Sequence, residues 1–433
     1  MTARKRQMHL AVFWLGTGNH TAGWRMEGAA DSNCSWPIVE AGVRTAERGK
    51  FDLFFISDSL VYAPNDHPSF QTRFEPTTIV AALSLVTRHV GLGATVSTSF
   101  SQPFTVARLF QSLQHLSKGR VAWNVVTSSS PNAALNFNLE RHYEHDERYE
   151  IANEFVDVVR GLWNTWDAGA AVRCKETGVY VDPAKVHTLD HKGRYFQVRG
   201  PLNVERPEHG HPLLIQAGGS GPGQDLSARI ADIVFSVVNG DPGQAKTAYD
   251  ELKSRLAKYG RQPDDMAILP GVMPIVGRTE AEAKAQLDRL QSFLSPTNAL
   301  TLVSNRIGHD ITSFPLDGPV PELPRSDNSQ SFARTLIDLA RRENMTLRDL
   351  YNITAAARGH WVIYGTPKRI ADTLEEWFRG GLADGFMILP AYFPGAFDDF
   401  VDMVVPELQR RGLFRTEYSG TTLRDHLGSP ALH

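Results

Sequence analysis

Leu116-Ser117-Lys118-Gly119-Arg120-Val121-Ala122-Trp123-Asn124-Val125-Val126-Thr127-Ser128 is the stretch on which the fold turns. A segment of helical character, 104–116, meets a Lys-Gly turn and then a short apolar run rich in β-branched residues that ends in hydroxyls. A run of that length bounded by turn signals reads as a strand buried on both faces, the form taken by parallel strands covered by helices.

Outward from it the same unit recurs. Strands are expected at 9–15, 51–57, 90–97, 121–127, 213–217, 233–238, 268–276 and 385–390, with helices between them at 37–50, 77–89, 104–116, 145–163 and 244–259. Glycine or proline punctuates many of the joins. Eight such units favour an α/β fold of the closed (β/α)8 TIM-barrel type over an open doubly wound sheet. The chain, 1–433, is expected to form one domain with two long insertions, about 164–211 and about 293–361, and a C-terminal extension from about 410. The first insertion holds the hairpin-like run His191-Lys192-Gly193-Arg194-Tyr195-Phe196, and the second the Pro-rich run Phe314-Pro315-Leu316-Asp317-Gly318-Pro319-Val320-Pro321. Ordered insertions of this length serve either as lids over an active site or as structural and dimer-forming elements. The extension is expected to wrap the barrel or a partner subunit.

Composition narrows the function. With 433 residues, 42% hydrophobic and 21% charged, the chain can bury a large core, and a net charge of −3 argues against nucleic acid or an anionic membrane as partner. A small-molecule substrate remains. Cys34 and Cys174 form no CxxC pattern, so neither a disulfide framework nor a zinc site is indicated, and a cytoplasmic location is expected. Arg4, Lys5 and Arg6 before the apolar run 10–15 imitate a secretion signal. The run is short and broken by Gly16 and Gly18, which favours a first strand. No stretch approaches the roughly 18 apolar residues of a membrane span.

In such a barrel the chemistry lies at the C-terminal ends of the strands. Asp58 closes the second strand, as a functional carboxylate or as a helix cap. Alternation puts Thr95, Ser97 and Ser99 on one face of the third. Asn124, between large apolar neighbours, is either a satisfied core amide or a ligand contact. His145 and Tyr149, four apart at a helix start, share a face that can meet an anion or only solvent. Gly218-Gly219-Ser220-Gly221-Pro222-Gly223 is a phosphate cradle or a flexible turn, and its spacing is not that of a dinucleotide fingerprint. His187/His191 and His209/His211 lack the carboxylates and spacing of a metal site.

Several motifs in order carry a resemblance over nearly the whole length. They are Lys50-Phe51-Asp52 leading to Asp58, Ser97-Thr98 with Pro103, the opening stretch through Trp123-Asn124-Val125-Val126-Thr127-Ser128, His145-Asp146-Glu147-Arg148-Tyr149, Gln216-Ala217-Gly218 with Ser220, and Gly385-Phe386 followed by Pro406-Glu407-Leu408-Gln409. The chain resembles the bacterial luciferase-like flavin-dependent monooxygenases, in the subgroup of the nitrilotriacetate, dibenzothiophene-sulfone and long-chain alkane enzymes. The resemblance implies an FMN cofactor in its reduced form, FMNH2, touched by Asp58, Thr95, His145, Tyr149 and Ser220, with Asn124 and Ser128 lining the flavin pocket. It places His20, Tyr62 and His309 near the substrate, where His20 or His309 would serve as acid/base or orient the oxygen donor. The expected activity is that of the oxygenase component of a two-component system. It would oxidise a small organic molecule with O2 by C–N or C–S cleavage or hydroxylation, supplied by a separate NAD(P)H:flavin reductase and assembled as a homodimer or homotetramer. A non-catalytic flavin-binding protein and a deazaflavin-dependent oxidoreductase are the alternatives on the same fold.

Overall fold

The computed structural model describes residues 6–64, 67–322 and 330–428. Arg4 and Lys5 lie outside them. Nine parallel strands are β1 (His9–Trp14), β2 (Leu53–Ile56), β3 (Gly91–Ser97), β4 (Val121–Val126), β5 (Leu213–Gln216), β6 (Ile233–Ser236), β7 (Ala267–Val276), β8 (Trp361–Gly365) and β9 (Gly385–Ile388). Strands β1 to β7 pair in sequence, and β9 joins β7 to β1, so eight strands close a (β/α)8 barrel. All eight lie where the sequence placed them.

β8 was not expected. It pairs with the outer half of β7, from Trp361 opposite Val272 to Gly365 opposite Val276. β7 is ten residues long and overhangs the ring, and the overhang supplies a free edge on which the chain adds a strand before helix Pro367–Arg379.

Alternation fills the barrel. Ala11, Phe13, Leu53, Phe55, Ile215, Phe235, Leu269 and Met387 face inward, while Leu10, Val12, Phe54, Ile56, Val121 and Trp123 face the helices. The rings of Phe13, Phe55 and Phe235 meet at 5.3–6.1 Å, so the interior is a packed core and the chemistry is displaced to the rim. A device repeated at the other end fixes strand register. Asp52, Asp232 and Asp384 each stand one residue before a strand and accept the amide of the neighbouring strand, from Leu10 (2.8 Å), Leu214 (2.8 Å) and Ile268 (2.9 Å). Their charges are met by Arg415, Arg424 and Lys253.

The first insertion follows helix α4 (His145–Trp163), which runs back along the barrel, so it emerges at the N-terminal end and cannot be a lid. Gln111 and Gln114, near the end of helix Pro103–Ser117, donate to the carbonyls of Glu205 (3.2 Å) and Gly210 (2.9 Å) within it. Its hairpin pairs His191–Lys192 with Gln197–Val198. The histidines there bond singly: His187 to Asp167 (2.7 Å), His191 to Glu154 (3.0 Å) and His211 to Asn164 (2.8 Å). The second insertion leaves β7 through helix Glu280–Ser292 and forms helices Pro296–Ile307, Gln330–Arg342 and Leu347–Ala357 around a small core of their own that includes Leu302, Val303 and Leu350. Its end returns to the barrel mouth, where Thr21 N–H donates to the Ala355 carbonyl (2.9 Å). No helix among the described residues is long and apolar enough to cross a membrane.

Candidate active site

β3 and β4 pair in a register that sets Thr95 beside Asn124. Thr95 Oγ1 donates to the Ile56 carbonyl (2.9 Å) and accepts from Asn124 Nδ2 (3.0 Å). Asn124 Oδ1 is left buried without a partner. An unpaired buried acceptor costs about 1–3 kcal/mol, so this oxygen is placed for a ligand N–H. Both meanings open to Asn124 from sequence are therefore visible in one side chain: its Nδ2 is satisfied in the core, and its Oδ1 is open to a ligand.

Two residues past the strand, Ser128 adopts a left-handed backbone (φ 46°) that turns its Oγ back to Ser97 Oγ (2.9 Å). Its carbonyl accepts from Arg148 Nη1 (2.6 Å) and His142 Nε2 (2.9 Å). Two separate sequence motifs thus meet in one hydrogen bond: the arginine of His145-Asp146-Glu147-Arg148-Tyr149 holds the serine that ends Trp123-Asn124-Val125-Val126-Thr127-Ser128. Arg148 is 6% exposed, its Nε has no partner, and burial lowers its pKa, although Tyr149 and Glu144 oppose the shift. Arg148 escaped the sequence analysis. The spacing signal was there, because residues three and four apart put His145, Arg148 and Tyr149 on adjoining sides of one helix.

That helix, α4 (His145–Trp163), presents its first turn to the loop after β5. The rings of His145 and Tyr149 stand 5.2 Å apart, and Tyr149 Oη lies 3.4 Å from Ser220 Oγ. Ser220 caps α5 (Gly221–Ile230) by accepting from Gly223 N–H. A Cβ on Gly223 would come within 2.8 Å of Tyr149 Oη, and one on Gly218 within 2.9 Å of Gly223 Cα, so side chains are excluded from both. The result is a hydroxyl-lined helix N-terminus, which attracts phosphate through its free N–H groups and dipole. With the Asn124 acceptor on the same rim, these residues fit FMN.

Asp58 follows β2 and accepts from Ser59 N–H (2.7 Å), 4.0 Å from Arg73. Burial raises its pKa, and Arg73 only partly offsets this. His20 lies across the mouth on the loop after β1, tied to the end of β9 by its N–H to the Ala391 carbonyl (3.0 Å). Its Nδ1 accepts from Ala22 N–H (3.1 Å), which puts the proton of the neutral ring on Nε2, a buried donor with no partner. Burial lowers its pKa to about 3. Neighbouring Asn19, which the sequence did not single out, donates to the Phe13 and Pro390 carbonyls and leaves Oδ1 buried and unpartnered.

The other two substrate-side residues stand apart. Tyr62 is 69% exposed in the loop after β2, and His309 is half-buried directly after Gly308, which ends helix Pro296–Ile307 in the second insertion. Neither is on a strand end.

The luciferase-like monooxygenase family model matches residues 18–384. The chain is 46% identical to N-acetyl-S-(2-succino)cysteine monooxygenase of Bacillus subtilis (strain 168), over 99% of this chain and 98% of that protein. It is 45% identical to nitrilotriacetate monooxygenase component A of Aminobacter aminovorans, over 98% and 96%. Among solved structures, a riboflavin lyase with modified FMN and riboflavin superposes with a TM-score of 0.88 at 28% identity, covering 98% of this chain and 96% of that one.

Proposed function

The chain belongs to the luciferase-like monooxygenase family, and from that premise we propose that it is an FMNH2- and O2-dependent oxygenase component that oxidises a small organic molecule by C–N or C–S cleavage or hydroxylation. The observation that carries the cofactor assignment is the pairing, on one rim, of the unpartnered Asn124 acceptor with the anion cradle of Tyr149, Ser220 and the α5 N-terminus. Bound reduced flavin supplies the electron pair that divides O2 between substrate and water. The remaining work falls to side chains. Tyr149, Ser220 and His145 take the phosphate. Asn124 and Thr95 set the ring, and Ser128 shapes the pocket wall beside Ser97. Neutral His20 holds a proton at Nε2, poised to donate to an oxygen at the mouth. Tyr62 and His309 are assigned to the substrate side, reached when the loop after β2 and the second insertion close.

Electrons come from a separate NAD(P)H:flavin reductase, a reading supported by the relative that is itself a component A. Anaerobic dialysis against reduced and oxidised FMN, followed by reductase-coupled turnover with product analysis by mass spectrometry, tests the assignment. Tighter binding of the reduced form and incorporation of one oxygen atom are expected. Equal binding of FAD, or turnover with reduced deazaflavin in place of FMN, would overturn it.

A further inference from the structure

We propose that the stacked rings of Phe137 and Phe100 at the barrel mouth form the seat for an aromatic ring of the substrate, an assignment that rests on the oxygenase reading of the same site. Phe100 follows β3 by three residues, and Phe137 lies two residues past the short helix Pro131–Leu135 in the loop after β4. Both loops leave the C-terminal ends of their strands, the end that carries the chemistry. The two rings stack with centroids 4.8 Å apart and planes 12° from parallel. Among the described residues, neither ring joins the hydrophobic clusters that pack the barrel and the second insertion, and Phe137 is 38% exposed. The pair therefore sits outside the cores that hold the fold, with part of the Phe137 ring open to solvent.

Inward, the stack continues. Phe100 meets the His142 ring at 4.9 Å, and His142 Nε2 donates to the Ser128 carbonyl (2.9 Å), in the turn that shapes the flavin pocket wall. Tyr143 N–H donates to His142 Nδ1 (2.8 Å), so both ring nitrogens are occupied and the proton sits at Nε2. Burial lowers the His142 pKa, and what this residue adds to the stack is a neutral ring. Outward, Asn136 Nδ2 donates to the Leu60 carbonyl (2.8 Å) and ties the loop of Phe137 to the loop of Tyr62. Tyr62 and Leu135, both exposed, flank that tie in sequence. Single exposed apolar side chains are ordinary, but a group of them on adjoining loops marks a binding surface. The row runs from Phe137 through Phe100 and His142 to the Ser128 turn, so it leads to the flavin pocket rather than across the rim, which suits a small molecule and not a protein partner. Stacking selects the class of group, because a ring laid on Phe137 gains an interaction that an aliphatic group of equal size lacks. An aryl group seated there lays its C–H, C–N or C–S centre along the wall formed by Ser128.

The test uses the full-length protein saturated with oxidised FMN. Methyl thioethers and N-methyl amines that differ in the second substituent, propyl, cyclohexyl, phenyl or naphthyl, are titrated by calorimetry. The phenyl and naphthyl members should bind about three- to tenfold more tightly than the cyclohexyl member. Phe137→Ala should remove that preference and Phe137→Trp should keep it, with circular dichroism confirming that both fold. In turnover the Phe137→Ala loss should appear chiefly in KM for the aryl members. If cyclohexyl and aryl members bind alike, or if the preference survives Phe137→Ala, the assignment is wrong. A change in subunit assembly or in electron supply by the reductase, with aryl affinity unchanged, would likewise overturn it and make the stack a protein interface. The oxygenase reading fails by a different sign, an aryl preference in binding with no oxygen transferred to any member of the series.

Discussion

At the scale of single residues, the site is a set of partners left half-satisfied, and the most informative is the contact between Arg148 and the Ser128 carbonyl. Arg148→Gln keeps an amide donor but removes the charge, and the left-handed turn at Ser128 loses the cation that holds it. A hydrogen bond to a charged group contributes about 1.5–3 kcal/mol, so FMN affinity should fall about 10- to 100-fold. Fluorescence titration measures this, and an unchanged affinity in the folded variant would dissociate Ser128 from the flavin. His20 gives the pH prediction. Its folded pKa, about 3, lies below the unfolded value of 6.5, so the unfolded chain binds the extra proton first. Stability attached to neutral His20 is therefore complete above pH 6.5 and is lost as pH falls toward 3. His211 and His426, lowered to about 4 chiefly by burial, act in the same sense, so the His20 share must be isolated by His20→Gln. Urea denaturation at pH 7 and pH 5 should show wild type losing more stability than the variant, and an imidazole resonance of His20 that titrates near 6.5 would contradict the burial argument. Spacing made the His145 and Tyr149 pair legible in the sequence. Asn124 was legible only as a choice, because its Thr95 partner is fixed by strand register. Asn19 was not legible, since what it faces, the Pro390 carbonyl, arrives from an element far away in the chain.

Among the elements, the strands were legible because each pairs a short apolar run with turn signals, a local property. Position along the barrel axis is not local. Both insertions look alike as long joins that follow a helix, yet the 164–211 segment follows a helix that runs back along the barrel to its N-terminal end, whereas helix Glu280–Ser292 sits beside the overhang of β7, where Glu280 accepts from Thr366 N–H, and leaves the second insertion at the C-terminal rim. The segment that forms β8 has strand character, Trp361-Val362-Ile363-Tyr364-Gly365, but only the overhang of β7 makes a partner for it. The second insertion keeps its expectation as a lid, now with a defined contact region, since the end of helix Leu347–Ala357 is the part that enters the mouth. Hydrogen exchange across 350–360 should slow when FMN and a substrate are added together, while the 191–198 hairpin at the far end stays indifferent. Closure that also carries His309 inward predicts that His309→Ala releases more hydrogen peroxide per NAD(P)H consumed. Equal exchange with and without ligands would reduce the insertion to a structural layer.

For the whole molecule, the extension expected to wrap the barrel proves to close its N-terminal end. Leu423, in the short helix Leu423–Leu427, joins the barrel's interior cluster, and the bare backbones of Gly91 and Gly119 make room for it and for Thr422. Tyr418 Oη donates to the Phe51 carbonyl (2.9 Å) and its ring stacks on His89. Arg415 and Arg424 supply the cations for Asp52 and Asp232, so two of the three carboxylates that fix strand register are neutralised from the last twentieth of the chain. The barrel is thus electrostatically complete only when its C-terminus is in place. Arg415→Met tests this without disturbing the catalytic end. Removing one partner of a buried ion pair costs about 3–5 kcal/mol, because the other charge stays buried and unanswered. The sign with pH is also fixed. In the wild type, burial would raise the Asp52 pKa, but Arg415 first and His9 next hold it at about 2. Its stabilisation is therefore present above the ordinary carboxylate range and lost as pH falls toward 2. In the variant burial prevails, Asp52 takes up its proton at higher pH, and acid relieves the penalty. Urea denaturation should thus show a deficit for Arg415→Met that is largest near neutrality and narrows on acidification, with FMN affinity of the folded fraction preserved at the opposite end of the barrel. A deficit that is constant with pH would mean that Arg415 acts by packing over Phe414 and Tyr418 rather than by answering Asp52.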